Sequence, residues 1–203
     1  MQMPTIDLYD TDLMMAHLNA VREMNQRAIQ IRYMVQPYRE QQYQCYRDGK
    51  YREAIEICNK VYQQFVYYVH DNKGIYDMEI IAGDCAQKLE FYDFAIFWYQ
   101  TVKRAGIDGM DSKLSQVFNE VMEKAREAYR NNDFKALWSN VTIALETGWE
   151  SGECYFYKGV CYENAGNINE KDKITYAKKM YKLAKKKKYT PAITALQNLK
   201  KKK

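Results

Sequence analysis

Apolar side chains recur along this chain with a helical beat. Tyr51, Ala54, Ile55, Cys58, Val61 and Tyr62 form one phrase, and Tyr92, Ala95, Ile96, Tyr99 and Val102 repeat it. A third copy runs Phe134, Leu137, Trp138, Val141, Ala144, Leu145, and a weaker one Ile174, Ala177, Tyr181, Ala184. The leading residues of successive copies lie 41, 42 and 40 positions apart. Offsets of zero, three, four, seven and ten place such side chains on one face of an α-helix. A fixed period of this size marks stacked helical repeats. No sustained strand alternation interrupts the pattern, so the expected class is all-α.

The punctuation divides the chain further. Asp10 or Thr11 is suited to cap a helix with apolar positions Met14, Leu18, Val21, Met24, Ala28 and Ile31, ending near Pro37, which biases Gln36 away from helical geometry. The expected domains are an N-terminal helix over 1–36, repeats over 37–188, and a capping helix with a lysine tail over 189–203. Within the repeats, helices are expected over 37–48 and 50–70, 75–89 and 92–105, 113–130 and 133–146, then 152–164 and 171–187. The run from Phe65 to Val69 has strand propensity, but Tyr62, Phe65 and Val69 keep the helical period. Asp71 to Gly74 reads as a loop, and Asp111 or Ser112 as the cap of the helix that follows. Thr190-Pro191 opens a last short helix.

Composition adjusts this picture in three places. The chain has 203 residues, enough for one domain or a short repeat array, and 47% of them are hydrophobic. No apolar run is long enough to span a membrane, and the first residues lack the basic-then-apolar order of a signal peptide. Five cysteines without a Cys-x-x-Cys pair fit reduced, buried thiols and a cytoplasmic setting. The net charge of +5 hides an asymmetry: residues 171–203 carry 13 lysines against the single acid Asp172, so the remainder is acidic.

The phrase Asp48-Gly49-Lys50-Tyr51-Arg52-Glu53-Ala54-Ile55 resembles the start of the second helix of a tetratricopeptide repeat. Glu90 to Ile96 and Asn132 to Leu137 are looser copies, and Tyr155, Gly159 and Tyr162 match a first helix. Gly83 and Ala125 stand where the family has a small residue. The loop before Ile174 and the run from Tyr189 to Ala192 are similar to Sel1-like repeats. The resemblance covers about residues 35 to 200. It departs in its period, 34 in the family, and in Gln41 and Gln42, which replace an apolar and a small residue. It implies a right-handed solenoid of about four antiparallel helix pairs, with an N-terminal helix and a C-terminal capping helix.

In that family the first helices line a concave groove. Carried over, the groove faces are Arg39, Tyr43, Tyr46 and Arg47, then Ile80, Asp84, Gln87 and Lys88. Met122, Arg126, Tyr129 and Arg130 follow, then Phe156, Val160, Glu163 and Asn164. Cations and aromatics outnumber acids there, which suits an extended or helical partner segment with acidic side chains. The implied function is a protein-binding scaffold or adaptor, with self-association open to its tyrosine-rich faces.

Catalytic and cofactor chemistry is not foreshadowed. His17 and His70 are isolated, and neither has metal-ligand spacing. A His70-Asp71 pair with a cysteine nucleophile is the nearest approach to a catalytic set. Cys154 and Cys161 share a helical face but read as packing. The second class of function is nucleic-acid or anionic-surface binding through Lys178, Lys179, Lys182, Lys185, Lys186, Lys187 and Lys188, extended by Lys200 to Lys203 and interleaved with Tyr176, Tyr181 and Tyr189. A competing reading makes these lysines the solvated side of a terminal helix.

Overall fold

A computed structural model describes residues 8–65, 75–166 and 168–201; side chains at 8–11, 28 and 201 are outside that description. Among the described residues all regular structure is helical: α1 (Leu8–Arg47), α2 (Tyr51–Gln64), α3 (Tyr76–Lys88), α4 (Tyr92–Arg104), α5 (Met110–Arg130), α6 (Phe134–Glu146), α7 (Gly152–Glu163), α8 (Glu170–Lys186) and α9 (Pro191–Lys201). They divide into two compact units, residues 1–85 and 86–203, with the division inside α3.

Two series of tight turns set the helix boundaries. Gly49, Glu90 and Asn132 each adopt positive φ just after a helix, 41 and 42 residues apart. The amide after each reaches back to close the turn: Lys50 N–H to Cys45 O at 2.8 Å, Phe91 to Ala86 at 2.8 Å and Asp133 to Ala128 at 2.9 Å. Gly106, Gly148 and Lys188 form the second series at the ends of α4, α6 and α8, spaced 42 and 40. A left-handed residue stops a helix by turning its last carbonyls to new donors. Glycine does this without steric cost, whereas Glu90, Asn132 and Lys188 hold the same geometry with a side chain.

Unit 1 is built on a narrow core. α1 contributes Ile31, Val35, Gln42 and Cys45; α2 contributes Ala54, Cys58 and Val61; Ile75, Met78, Glu79, Ala82 and Cys85 come from the start and body of α3. Several are small, so helices approach closely there. The expected helix end at Pro37 is not observed, because α1 runs through it. Proline removes one interior hydrogen bond, but Ile31 and Val35 before it and Gln42 and Cys45 after it are all buried, which holds both sides in one helix. α1 also begins at Leu8, ahead of the proposed caps Asp10 and Thr11. Residues 12–27 are exposed throughout, Met14, Leu18, Val21 and Met24 among them. At the other end of the unit, α2 stops at Gln64, with Phe65 at φ −119° and ψ 21°. The helical reading therefore fails at Phe65, while Val69, His70 and the 71–74 loop lie outside the described residues.

In unit 2 sequential helices pack on one another: α4 on α5, α5 on α6, α6 on α7, α7 on α8 and α8 on α9. The buried face of α4 is Tyr92, Ala95, Ile96, Tyr99 and Val102, with Trp98 beside it. α5 starts at Met110 rather than 113; Gly109 precedes it with φ 85° and no side-chain cap. Burial of Met110 draws the start forward, and Asp111 pairs with Lys103 at 2.6 Å instead of capping. Asp133, Ser151 and Asn169 do cap, accepting from the amides of Ala136, Cys154 and Asp172. Gly159 is a required close approach: a Cβ there would sit 2.5 Å from the Tyr181 ring.

Candidate functional site

The family-derived positions fall into two groups, one in each unit. In unit 1, Arg39 is held against Asp77 at 2.6 Å, so its guanidinium is already neutralised. Tyr43 and Arg47 lie one helical turn apart at the exposed end of α1, the guanidinium 6.0 Å from the ring centroid. Tyr46 is half-buried against Tyr51, its hydroxyl pKa raised by burial and by the neighbouring Asp84 charge. Ile80 and Asp84 are half-buried on α3.

In unit 2 the positions are more strongly drawn inward. Gln87 donates to Glu120 at 2.7 Å and accepts from the Tyr99 hydroxyl at 3.0 Å. Met122 is 1% exposed and its sulfur lies 3.2 Å from that of Cys154, so it belongs to the core rather than to a binding face. Phe156 and Val160 are likewise buried. Arg126 makes a two-pronged contact with Glu153, Nε at 2.9 Å and Nη2 at 2.8 Å, and also pairs with Glu123. That pairing raises the guanidinium pKa. Tyr157 donates to the same Glu153 at 3.0 Å.

Around this network the tyrosines gather into a ring cluster. Tyr129 lies 4.9 Å from Tyr157 and 6.1 Å from Phe156 by ring centroid, and Phe156 in turn lies 5.6 Å from Tyr181 and 5.4 Å from Tyr189. Glu163 accepts from the Tyr181 hydroxyl, whose pKa rises through burial and that partner. Asn164 turns back to donate to Val160 O at 2.9 Å. Much of the proposed unit-2 face is thus internal scaffolding, because Arg–carboxylate and aromatic pairs at helical spacing satisfy one another across helices.

One relation was not visible from side-chain types alone. Arg47, Lys88 and Arg130 each stand two residues before the left-handed residue of the first turn series, at Gly49, Glu90 and Asn132. All three are exposed. Lys88 and Arg130 have no acidic partner among the described residues. The signal lay in the spacing of the turns, not in the hydrophobic stripe.

On α8, Lys178 is half-buried and Lys179, Lys182, Lys185 and Lys186 are exposed, as are Lys187 and Lys188 in the turn that follows. Lys187 pairs with Glu150 at 3.1 Å; the other six have no ion pair among the described residues. Tyr176 is exposed, whereas Tyr181 is buried and Tyr189 packs on Phe156, so two of the three interleaved tyrosines are unavailable for base stacking. Lys202 and Lys203 are outside the described residues.

No family model, curated protein or solved structure matches this chain.

The geometry offers little nucleophile chemistry. All five cysteines are free and buried. Burial pushes the Cys85 and Cys161 thiols up to about 12 and raises those of Cys58 and Cys154 as well. Such thiols stay protonated and unreactive at neutral pH. The His70-Asp71 pair lies outside the described residues. No cluster of three or more His, Cys, Asp or Glu side chains placed to hold a metal occurs among the described residues. No described helix is long and apolar enough to cross a membrane.

Proposed function

We propose that this chain is a non-catalytic protein-binding scaffold, with helix pairs stacked in the manner of tetratricopeptide repeats and Sel1-like character in the last. Its first helices form the right-handed solenoid's concave face and take an extended or helical acidic segment of a partner. The observation that carries this reading is the recurrent exposed cation: Arg47, Lys88 and Arg130 occupy one position relative to the same turn in three successive repeats. A cation at a helix C-terminus also complements the helix dipole, for about 0.5 kcal/mol. That role does not call for an aromatic neighbour, whereas the Tyr43 ring beneath Arg47 supplies contact area with few rotatable bonds.

The test is charge reversal at Arg47, Lys88 and Arg130 together, followed by affinity capture on the tagged full-length chain and mass spectrometry. Loss of an acidic partner with an unchanged circular-dichroism melt supports the reading. Retention of every captured partner overturns it.

A second reading rests on the six lysines of α8 and the turn after it that form no ion pair among the described residues. A dense, uncompensated cationic face attracts polyanions through counterion release. Reversing Lys179, Lys182, Lys185 and Lys186 should abolish retention on a nucleic-acid column at low salt. Equal retention by that variant discards this reading.

A further inference from the structure

Where α1, α2 and α3 meet, unit 1 buries two polar side chains that are incompletely satisfied. Gln42 is fully buried, and its amide nitrogen donates to Ala54 O at 3.2 Å and Met78 O at 3.0 Å. Two carbonyl acceptors use both amide protons and fix the amide's orientation, since the flipped form would set oxygen against oxygen. Gln42 Oε1 is therefore left as a buried acceptor without a partner. Glu79, 1% exposed on α3, has a buried Oε2 in the same condition. Cys58 on α2 adjoins both residues. Each of these buried acceptors is costly when left without a donor, more so when charged, and a proton on the Glu79 carboxyl would supply a donor within this core.

We propose that Glu79 carries a proton in the folded chain, that this proton is donated to Gln42 Oε1, and that the α1–α2–α3 junction is thereby a proton-dependent latch. The surroundings agree. Among the described residues the carboxyl forms no ion pair: Arg39 of α1 pairs with Asp77, and α1 also presents the neutral Gln42. The Cys58 thiol and Tyr62 hydroxyl of α2 and the Tyr76 hydroxyl of α3 are raised first by burial and then by a charge on Glu79. Burial, then the Asp77 charge, pushes the Glu79 carboxyl up to about 7. A group whose folded pKa is raised contributes stability that is complete below its unfolded value near 4.5 and lost as pH rises through about 7. The latch is closed in mild acid and released in mild base.

Hydrogen exchange on the full-length chain tests this, with unit 2 as an internal control. Between pH 6 and pH 8, after correction for intrinsic exchange, protection of the core amides of α2 and α3 should fall about tenfold. Protection in α5 to α7 should hold. Glu79→Gln keeps the shape and the donor and should abolish the fall, while Cys58→Ala, which removes the neighbouring thiol and leaves the carboxyl, should leave it. A carboxylic-acid carbonyl band present at pH 6 and missing in Glu79→Gln would confirm the proton directly. PH-independent protection of α2 and α3, or a fall that persists in Glu79→Gln, overturns the proposal.

Discussion

The two units share turn geometry and a similar stripe of apolar positions, yet they bury polarity in opposite ways. Unit 2 pairs its charged and phenolic groups with one another, Arg126 with Glu153 and Glu123, Tyr157 with Glu153 and Tyr181 with Glu163, and leaves the small Thr142 hydroxyl without a partner. Unit 1 leaves Gln42 Oε1 and Glu79 Oε2 as buried acceptors without a hydrogen-bond partner. A satisfied network is rigid and insensitive to mild pH change, whereas an incomplete one answers to a single proton. Repetition of the backbone therefore does not imply repetition of behaviour.

Substitutions at four places sharpen the comparison, beginning with the most disruptive. Gly159→Ala forces a methyl into the Tyr181 ring at a site with no slack, and should cost unit 2 about 2–3 kcal/mol in chemical denaturation. Arg126→Ala strands Glu153, whose side chain is only 19% exposed, and should cost about 1–2 kcal/mol after allowance for solvent screening of the half-open arginine. Tyr181→Phe deletes the hydrogen bond to Glu163, a loss of about 1 kcal/mol by the same assay. Should Arg126→Ala prove silent, the contrast between a closed and an open polar core would collapse.

The smallest effect belongs to the exposed part of α1. Val21→Ser or Met24→Ser removes apolar surface that is already in water, so the melting temperature should move by the equivalent of under about 0.5 kcal/mol. A marked destabilisation at either position would show that this stretch is covered in solution.

Much of the fold was legible because helix and turn are local. The stripe at Tyr92, Ala95, Ile96, Tyr99 and Val102 is the buried face expected of it; of the next, Leu137, Val141 and Ala144 are buried, Phe134 and Leu145 are half-buried and Trp138 is exposed. The Pro191 start of α9 was legible for the same reason: its fixed φ suits the first helical position. Pro37 misled, because its local cost is outweighed by burial on either side. Asp111 misled too, since an acid in a first turn can pair with a neighbouring lysine as well as cap.

The candidate site was less legible. Arg126, Tyr129 and Phe156 have the residue types of a binding face, and nothing in their spacing tells whether a glutamate or a ring from the next helix already occupies them. Glu153 is that glutamate, and it lies 27 positions from Arg126.

The sequence by itself determined that the described chain is helical, where most helices begin and end, and that apolar stripes recur 40 to 42 residues apart, because periodicity and turn chemistry act over a few neighbouring residues. Only the tertiary structure decided which charges are spent internally and which stay free. It alone placed Glu79 and Gln42 in one core, 37 positions apart in the chain, because burial and polar satisfaction depend on what packs across from a residue rather than on what precedes it.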